Sequence, residues 1–458
     1  MAVHQPAIPE RPPAWREVFQ GRRGRLTAGL LLLEALVAVQ VLIVATILPD
    51  VRRDLGMVQL YGLAFTASSL ATLAAIPIAG RAVDRFGARA TLPPVLFAFV
   101  GGLVVAAIAP TMPILLVGQF LQGAGGGGLY ALSLGTVAKT YPDRLRPRVM
   151  ALLATMWILP GLVGPPVGAL IAGTVGWRWA FLAPIPVLAL GWFLIAPALD
   201  LVPEPDLNAD RLAVRWPLQL MVGAGLVFSS LTIVRPWALG VLAAGLAIGL
   251  PALRHIVPPG TFRARRGIPA TAIAAFLLSM GFLAMDAFLT LMLTGVRGVS
   301  LGQASLAITA ATLTWAAGSA WQSGRADRVA LPRLVLLGTI AVLVGQAAVA
   351  SALFVEVPVV LAYVGWAVAG GGMGVAFPTI PLATMRVAGT GGEAGVLSSV
   401  LLMDMLGVAT GAGLGGGAVA VAEAFDAPLA TGIGASFAIG FTALIALAFV
   451  ARRMTPES

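Results

Sequence analysis

Three carboxylates, Glu34, Asp286 and Asp404, stand inside long apolar stretches of the chain. A charged side chain at the middle of a bilayer costs at least about 2.5–3.5 kcal/mol on insertion scales. A chain that keeps three of them has a use for them. Burial without a counter-charge disfavours the charged form, and a carboxyl group so placed can load and release a proton. No arginine falls well inside an apolar stretch to offset these charges. The plainer alternative is that each acid hydrogen-bonds to neighbouring serine, threonine or backbone groups and never titrates. Asp286 stands 38 residues before Gly324, while Gln40 stands 40 before Gly80, so the two occupy related positions around two similar motifs.

Other chemistry is excluded by residue type. There is no cysteine, which removes thiolate nucleophiles, disulfides and cysteine metal sites. The two histidines, His4 and His255, lie in polar flanking segments, so no histidine metal or protease motif falls in an apolar stretch. No G-x-S-x-G elbow is present. The glycine runs at Gly125–Gly128, Gly370–Gly372 and Gly415–Gly417 lack a following Lys-Ser/Thr and are not nucleotide loops. The expectation is a protein that is not an enzyme and needs no cofactor or metal. Trp157, Trp315 and Trp366 offer flat faces on which an organic or cationic molecule can stack.

The elements that carry these residues are set by composition. Of 458 residues, 59% are apolar and 10% charged, with a mean hydropathy of +0.95. A soluble domain carries about 25% charge, so the chain reads as an all-α polytopic membrane protein. Apolar stretches long enough to cross a bilayer fall at 26–49, 60–80, 92–110, 112–138, 149–174, 179–199, 217–234, 236–253, 269–293, 304–323, 332–354, 357–384, 395–420 and 429–451. That predicts 14 transmembrane helices, the seventh and eighth being the shortest.

Arginine orients them. With the first 25 residues inside, the inner segments hold 24 Lys and Arg and the outer ones five: Arg52, Arg53, Arg178, Arg235 and Arg297. By the positive-inside rule both termini are cytoplasmic. Basic residues spread over every inner loop are not a nucleic-acid surface, and no nucleic-acid partner is expected. The first span is too long to be the core of a cleavable signal.

Gly80 to Arg85 (G-R-A-V-D-R) closes the second span, and Gly324 to Arg328 (G-R-A-D-R) closes the tenth. The repeat divides the chain into a cytoplasmic segment 1–25, a first six-helix bundle 26–199, a linker 200–216, an inserted helix pair 217–253, a linker 254–268, a second six-helix bundle 269–451 and a tail 452–458. Two similar six-span halves are the arrangement of a transporter that rocks about a midplane site.

At these residues the chain resembles the major facilitator superfamily and, within it, the fourteen-span drug:proton antiporters. Gly80, Asp84, Arg85, Gly87 and Arg89 match the family's inner-loop signature, with Gly324, Asp327 and Arg328 as the second-half copy. The resemblance implies a gating role, in which Arg85 and Arg89 pair with acids or carbonyls on the other half. Ala88 departs from the pattern, where a base is usual. In the fifth span Gly161, Gly164, Pro165, Pro166 and Gly168 resemble the exporters' antiporter motif and imply a hinge, since proline removes backbone donors and kinks a helix. Gly176-Trp-Arg-Trp-Ala-Phe181 looks like the outer turn that follows it.

Two departures touch the interior. Gln40, nine residues before Pro49, and Gln119, three before Gln122-Gly123, stand where the family usually carries an acid and a base. Losing both charges leaves no stranded ion. These amides either hydrogen-bond internally or, with Gln122, Trp157 and Trp315, line a substrate cavity.

The resemblance implies a plasma-membrane secondary transporter, working as a monomer, that exports amphipathic organic compounds in exchange for protons. Glu34, Asp286 and Asp404 are its proton-coupling candidates, and the proton gradient is its energy source. Some fourteen-span relatives handle lipids, which keeps a lipid or glycolipid exporter as the alternative.

Overall fold

The computed structural model describes residues 15–142, 145–156, 158–201, 214–233, 235–388 and 393–455. Trp157 and most of the linker 200–216 thus lie outside the described residues. The chain runs α1 (Trp15–Val18), α2 (Gly21–Leu55), α3 (Tyr61–Ala107), α4 (Met112–Thr140), α5 (Arg146–Thr155), α6 (Ile158–Thr174), α7 (Trp177–Leu182), α8 (Ile185–Ile195), α9 (Arg215–Ser230) and α10 (Ala238–Ile256). It continues as α11 (Ile268–Gly295), α12 (Leu301–Ser323), α13 (Leu331–Ser351), α14 (Val360–Ala388), α15 (Glu393–Ala424) and α16 (Leu429–Val450). No strand occurs among the described residues.

Every apolar stretch read from the sequence falls on a helix, and nine helical stretches among the described residues are long and apolar enough to cross a membrane. One detail differs from the sequence reading. The connection expected between the second and third spans is shorter than a loop: two helical stretches within α3 meet at a kink at Gly87. There φ is 81° and ψ is 160°, a conformation that a side chain resists and glycine accepts. The described residues of the fifth span fall in α5 and α6, with Trp157 between them outside the described residues. Pro160 stands in the first turn of α6, where a missing N–H costs no helical hydrogen bond. The motif prolines Pro165 and Pro166 stay inside α6.

The helices form two groups. In one, α2 packs on α6 and α8, and α3 lies along α4; in the other, α11 packs on α15 and α16, and α14 on α12 and α13. Small residues set these distances. A Cβ at Gly123 would strike the backbone of Ser68, and one at Gly345 the carbonyl of Gly365. Gly407 and Gly411 do the same for α15 against Phe276 and Met280 of α11. In lipid, such close approach replaces the hydrophobic drive that water supplies.

The groups meet along two seams, α3 with α15 and α6 with α12, and α11 also touches α2. The inserted pair α9–α10 packs on itself through Gly223, Gly245 and Gly249, and α9 lies against both α3 and α15. Phe228 covers Gly413, Leu231 covers Gly417, and Leu70 approaches Gly225. We call the end of the bundle that carries Arg22 and Arg453 the base, and the opposite end the apex.

Gly62 faces Gly416 and the Ala412 carbonyl across the α3–α15 seam near the apex. Gly62→Val should overpack that contact and destabilise this arrangement by roughly 1–3 kcal/mol. The expected reading is a lower melting midpoint in detergent; an unchanged midpoint would mean that the two helices are not so close.

Candidate functional site

Asp404 lies on α15 toward the base and is buried, with 6% of its surface exposed. Its Oδ1 accepts a hydrogen bond from the Ser279 hydroxyl of α11, in the same half. Glu34 is buried on α2, in the other half. Both carboxylates act electrostatically on one phenol, Tyr130 of α4. Tyr130 is itself only partly covered.

Asp286 is not part of this group. It lies seven residues beyond Ser279 on α11, about 10 Å nearer the apex. Two residues further along α11, Phe288 meets the ring of Tyr61. Tyr61 is wholly buried, its ring centroid 5.6 Å from that of Phe288 and 6.2 Å from that of Phe65. Its hydroxyl has no hydrogen-bond partner among the described residues. Thr66 Oγ1, one turn further on, donates to the Ala409 carbonyl across the seam at 3.3 Å. The apex between the halves is thus tightly packed, with Asp286 just beneath the packing.

The glutamines behave differently from one another. Gln40 and Gln119 are buried, and neither the Gln40 amide nor the Gln119 Nε2 meets a partner among the described residues. Gln122 Nε2 donates to the Gly102 and Gly118 carbonyls at 3.3 Å each, which commits it to the α3–α4 contact. Trp315 stands edge-on to Phe282 (5.7 Å) and Phe377 (5.5 Å), and Phe282 stacks on the buried Trp366 at 4.7 Å. This aromatic cluster belongs to the second half.

At the base, Asp84 pairs with Lys139 at 2.7 Å, and Asp327 pairs with Arg386 at 2.5 Å. The two pairs are equivalent: each joins the end of its half's second span to the end of its fourth. Arg89 meets Asp200 at 2.7 Å, and Asp200 also holds Arg22 at 3.2 Å. Arg85 lies 5.7 Å from the centroid of the Phe86 ring. The partner of Arg89 is therefore Asp200, at the start of the linker, and not a group of the other half as the resemblance implied. Exposed pairs of this kind are worth about 0–1 kcal/mol each, so they align helix ends more than they stabilise the fold. Gly80 has open space around it, and Gly324 and Arg328 lie on the exposed turn that follows α12.

In α6, Gly161 is pressed against Thr312 of α12, while Gly164 and Gly168 lie against Val39, Leu42 and Ile43 of α2. The helix is therefore wedged between its own half and the other.

Four of these groups escaped the sequence reading: Tyr130, Ser279, Tyr61 and Asp200. Tyr130 had the only available signal, a lone polar ring following the glycine run of α4. Nothing in the sequence marks Ser279 as a partner of a residue 125 positions away.

At the apex, Arg178 Nη1 donates to Asp54 Oδ2 at 2.7 Å and Trp177 Nε1 to the same oxygen at 3.1 Å. Arg178 Nη2 reaches the Ala109 carbonyl at 3.3 Å. These hydrogen bonds hold the Asp54 carboxyl below the usual carboxylate range. A carboxylate whose folded value is depressed adds stability above its unfolded value, near 4, and loses it as pH falls through the folded value. Asp54→Asn should therefore flatten the fall in melting midpoint seen below about pH 4; an identical pH profile would show that the clasp is not formed.

The sequence profile described as Major Facilitator Superfamily matches residues 30–412. A probable multidrug-efflux transporter of Mycobacterium tuberculosis is 27% identical over 456 residues, covering 93% of this chain and 94% of its own. The multidrug transporter protein MdtP of Bacillus subtilis is 22% identical over 380 residues, covering 80% and 70%. Among solved structures, a POT family transporter in complex with 5-aminolevulinic acid superposes with a TM-score of 0.70 at 14% identity, covering 94% of this chain and 96% of its own. A D-xylose-proton symporter gives 0.69 at 14% identity, covering 95% and 99%. The structural neighbours establish the fold, and the profile establishes the lineage: this chain is a member of the Major Facilitator Superfamily.

Proposed function

We propose that the protein exports amphipathic, drug-like organic compounds across the cytoplasmic membrane in exchange for protons, by alternating access between two six-helix halves, 26–199 and 269–451. The relatives named as multidrug-efflux transporters support the substrate class. One observation carries the coupling: Asp404 is buried on α15, where Ser279 of α11 donates to it, and Glu34 is buried on α2 of the other half. In this reading the base faces the cytoplasm, the chain crosses the membrane fourteen times and works as a monomer.

The acids supply the switch. A carboxylate accepts a hydrogen bond and a carboxylic acid can also donate one, so Asp404 keeps Ser279 as partner in either state while its charge comes and goes. Removing that charge changes what the two halves gain by closing around the interior, and a ligand or proton shifts an equilibrium only by such a difference between states. Asp286, beneath the apex packing, offers a second carboxyl on the outward path. The base pairs at Asp84 and Asp327 and the wedge at α6 then serve as gate and hinge. Gln40 and Gln119, with unmet hydrogen-bonding capacity, are positioned to contact cargo or water.

The test is reconstitution in liposomes with a fluorescent cationic dye and an imposed proton gradient. Asp404→Asn and Asp286→Asn should each lower gradient-driven dye movement about tenfold or more, the effect of losing roughly 1.4 kcal/mol from one state alone. Full gradient-driven transport in both variants would remove these residues from the coupling. Movement of a fluorescent lipid, with none of the dye, would replace the drug reading by lipid export.

A further inference from the structure

The inserted pair carries an arrangement of charge that transport between the halves does not use. The first turn of α9 and the last turn of α10 meet at the base, where Trp216 stacks on His255 with centroids 4.3 Å apart and planes 26° apart. Arg215 lies 4.8 Å from the centroid of the same indole ring, and Arg254 immediately precedes His255. The chain then makes an ordered turn. Thr261 donates from its hydroxyl to the Pro258 carbonyl at 2.6 Å, and the Arg263 and Arg265 amides donate to the Gly260 carbonyl at 3.1 and 3.2 Å. The turn presents Phe262, 57% exposed, between a buried Thr261 and the exposed Arg263 and Arg265. It is tied down by the Gly267 amide, which donates to the Arg453 carbonyl at 2.9 Å.

Some basic residues at the base meet aspartate: Arg22 and Arg89 share Asp200, Lys139 has Asp84 and Arg386 has Asp327. Among the described residues, Arg215, Arg254, Arg263 and Arg265 have no such carboxylate. Topogenic positive charge needs only a side of the membrane. It does not need a fixed turn, an aromatic stack and an exposed phenylalanine among the guanidinium groups. An interface with lipid does: arginine forks match phosphate oxygens, and an aromatic side chain settles at the headgroup level.

We propose that the base of the inserted hairpin is a binding surface for anionic phospholipid headgroups, with Arg215, Arg254, Arg263 and Arg265 around the phosphate groups and Phe262 entering the boundary with the acyl chains. Because α9 also packs on α3 and α15, lipid held there anchors a helix that touches both halves. The surface depends on the chain lying in a membrane and not on proton exchange, so its test does not read transport.

The purified full-length protein, in detergent carrying equal amounts of dioleoylphosphatidylglycerol and dioleoylphosphatidylcholine, is analysed by native mass spectrometry for retained lipid. The phosphatidylglycerol should be retained in preference. Arg263→Gln/Arg265→Gln, on an exposed turn where folding is not at stake, should weaken its retention about fivefold for each arginine removed. The corresponding Arg→Lys pair, which keeps the charge without the fork, should retain more than the glutamine pair and less than the parent, and Phe262→Ser should lose part of it. Equal retention of the two lipids by the parent protein, unchanged retention in the glutamine pair, or complete displacement of the lipid by millimolar inorganic phosphate would overturn the proposal, the last by revealing a site for small anions.

Discussion

Helices dissolved in lipid gain little by hiding apolar side chains from one another, and the constraint on which this structure rests is the close approach of backbones at glycine. The contacts at Gly123, Gly345, Gly407 and Gly411 place helices so near that a single Cβ would meet main-chain atoms. Only at those distances do the hydroxyl of Thr72 and the carbonyl of Gly123 meet, at 2.9 Å, or Ser279 reach Asp404. The polar interior is therefore a product of the small residues around it. Enlarging a glycine in α15 would disturb the acid as surely as changing the acid.

The two halves use this principle in the same way at their bases and differently in their interiors. Asp84–Lys139 and Asp327–Arg386 are matched in position and in kind. Inside, the first half offers Glu34, the neutral Gln40 and Gln119 and the phenol of Tyr130, whereas the second offers Asp286, Asp404 and a cluster of aromatic rings. A repeated frame with unlike contents suits a device that must distinguish its two sides.

Hydropathy and arginine placement made the helical architecture legible, because both report on the solvent and not on neighbours. The three acids of the apolar stretches were legible for the same reason: each breaks an apolar run. Their partners were not. Ser279 is one of many serines and threonines that a membrane helix tolerates by bonding its own backbone, and its bond to Asp404 exists only after α11 and α15 have packed. Asp200 looked like the start of a linker, yet it sits in a helical turn where it gathers Arg22 and Arg89. The boundary between the second and third spans was legible, and the kink at Gly87 falls within the arginine-bearing segment that separates them.

The position of α9 has a mechanical corollary. One seam is a joint of three helices, since Phe228 and Leu231 bear on α15 while Gly225 receives Leu70 of α3; the opposite seam, α6 against α12, is a joint of two. Parting the first requires stripping a third member from one of its supports, and parting the second does not. The inserted pair thus adds to the α3–α15 seam a brace that the α6–α12 seam lacks.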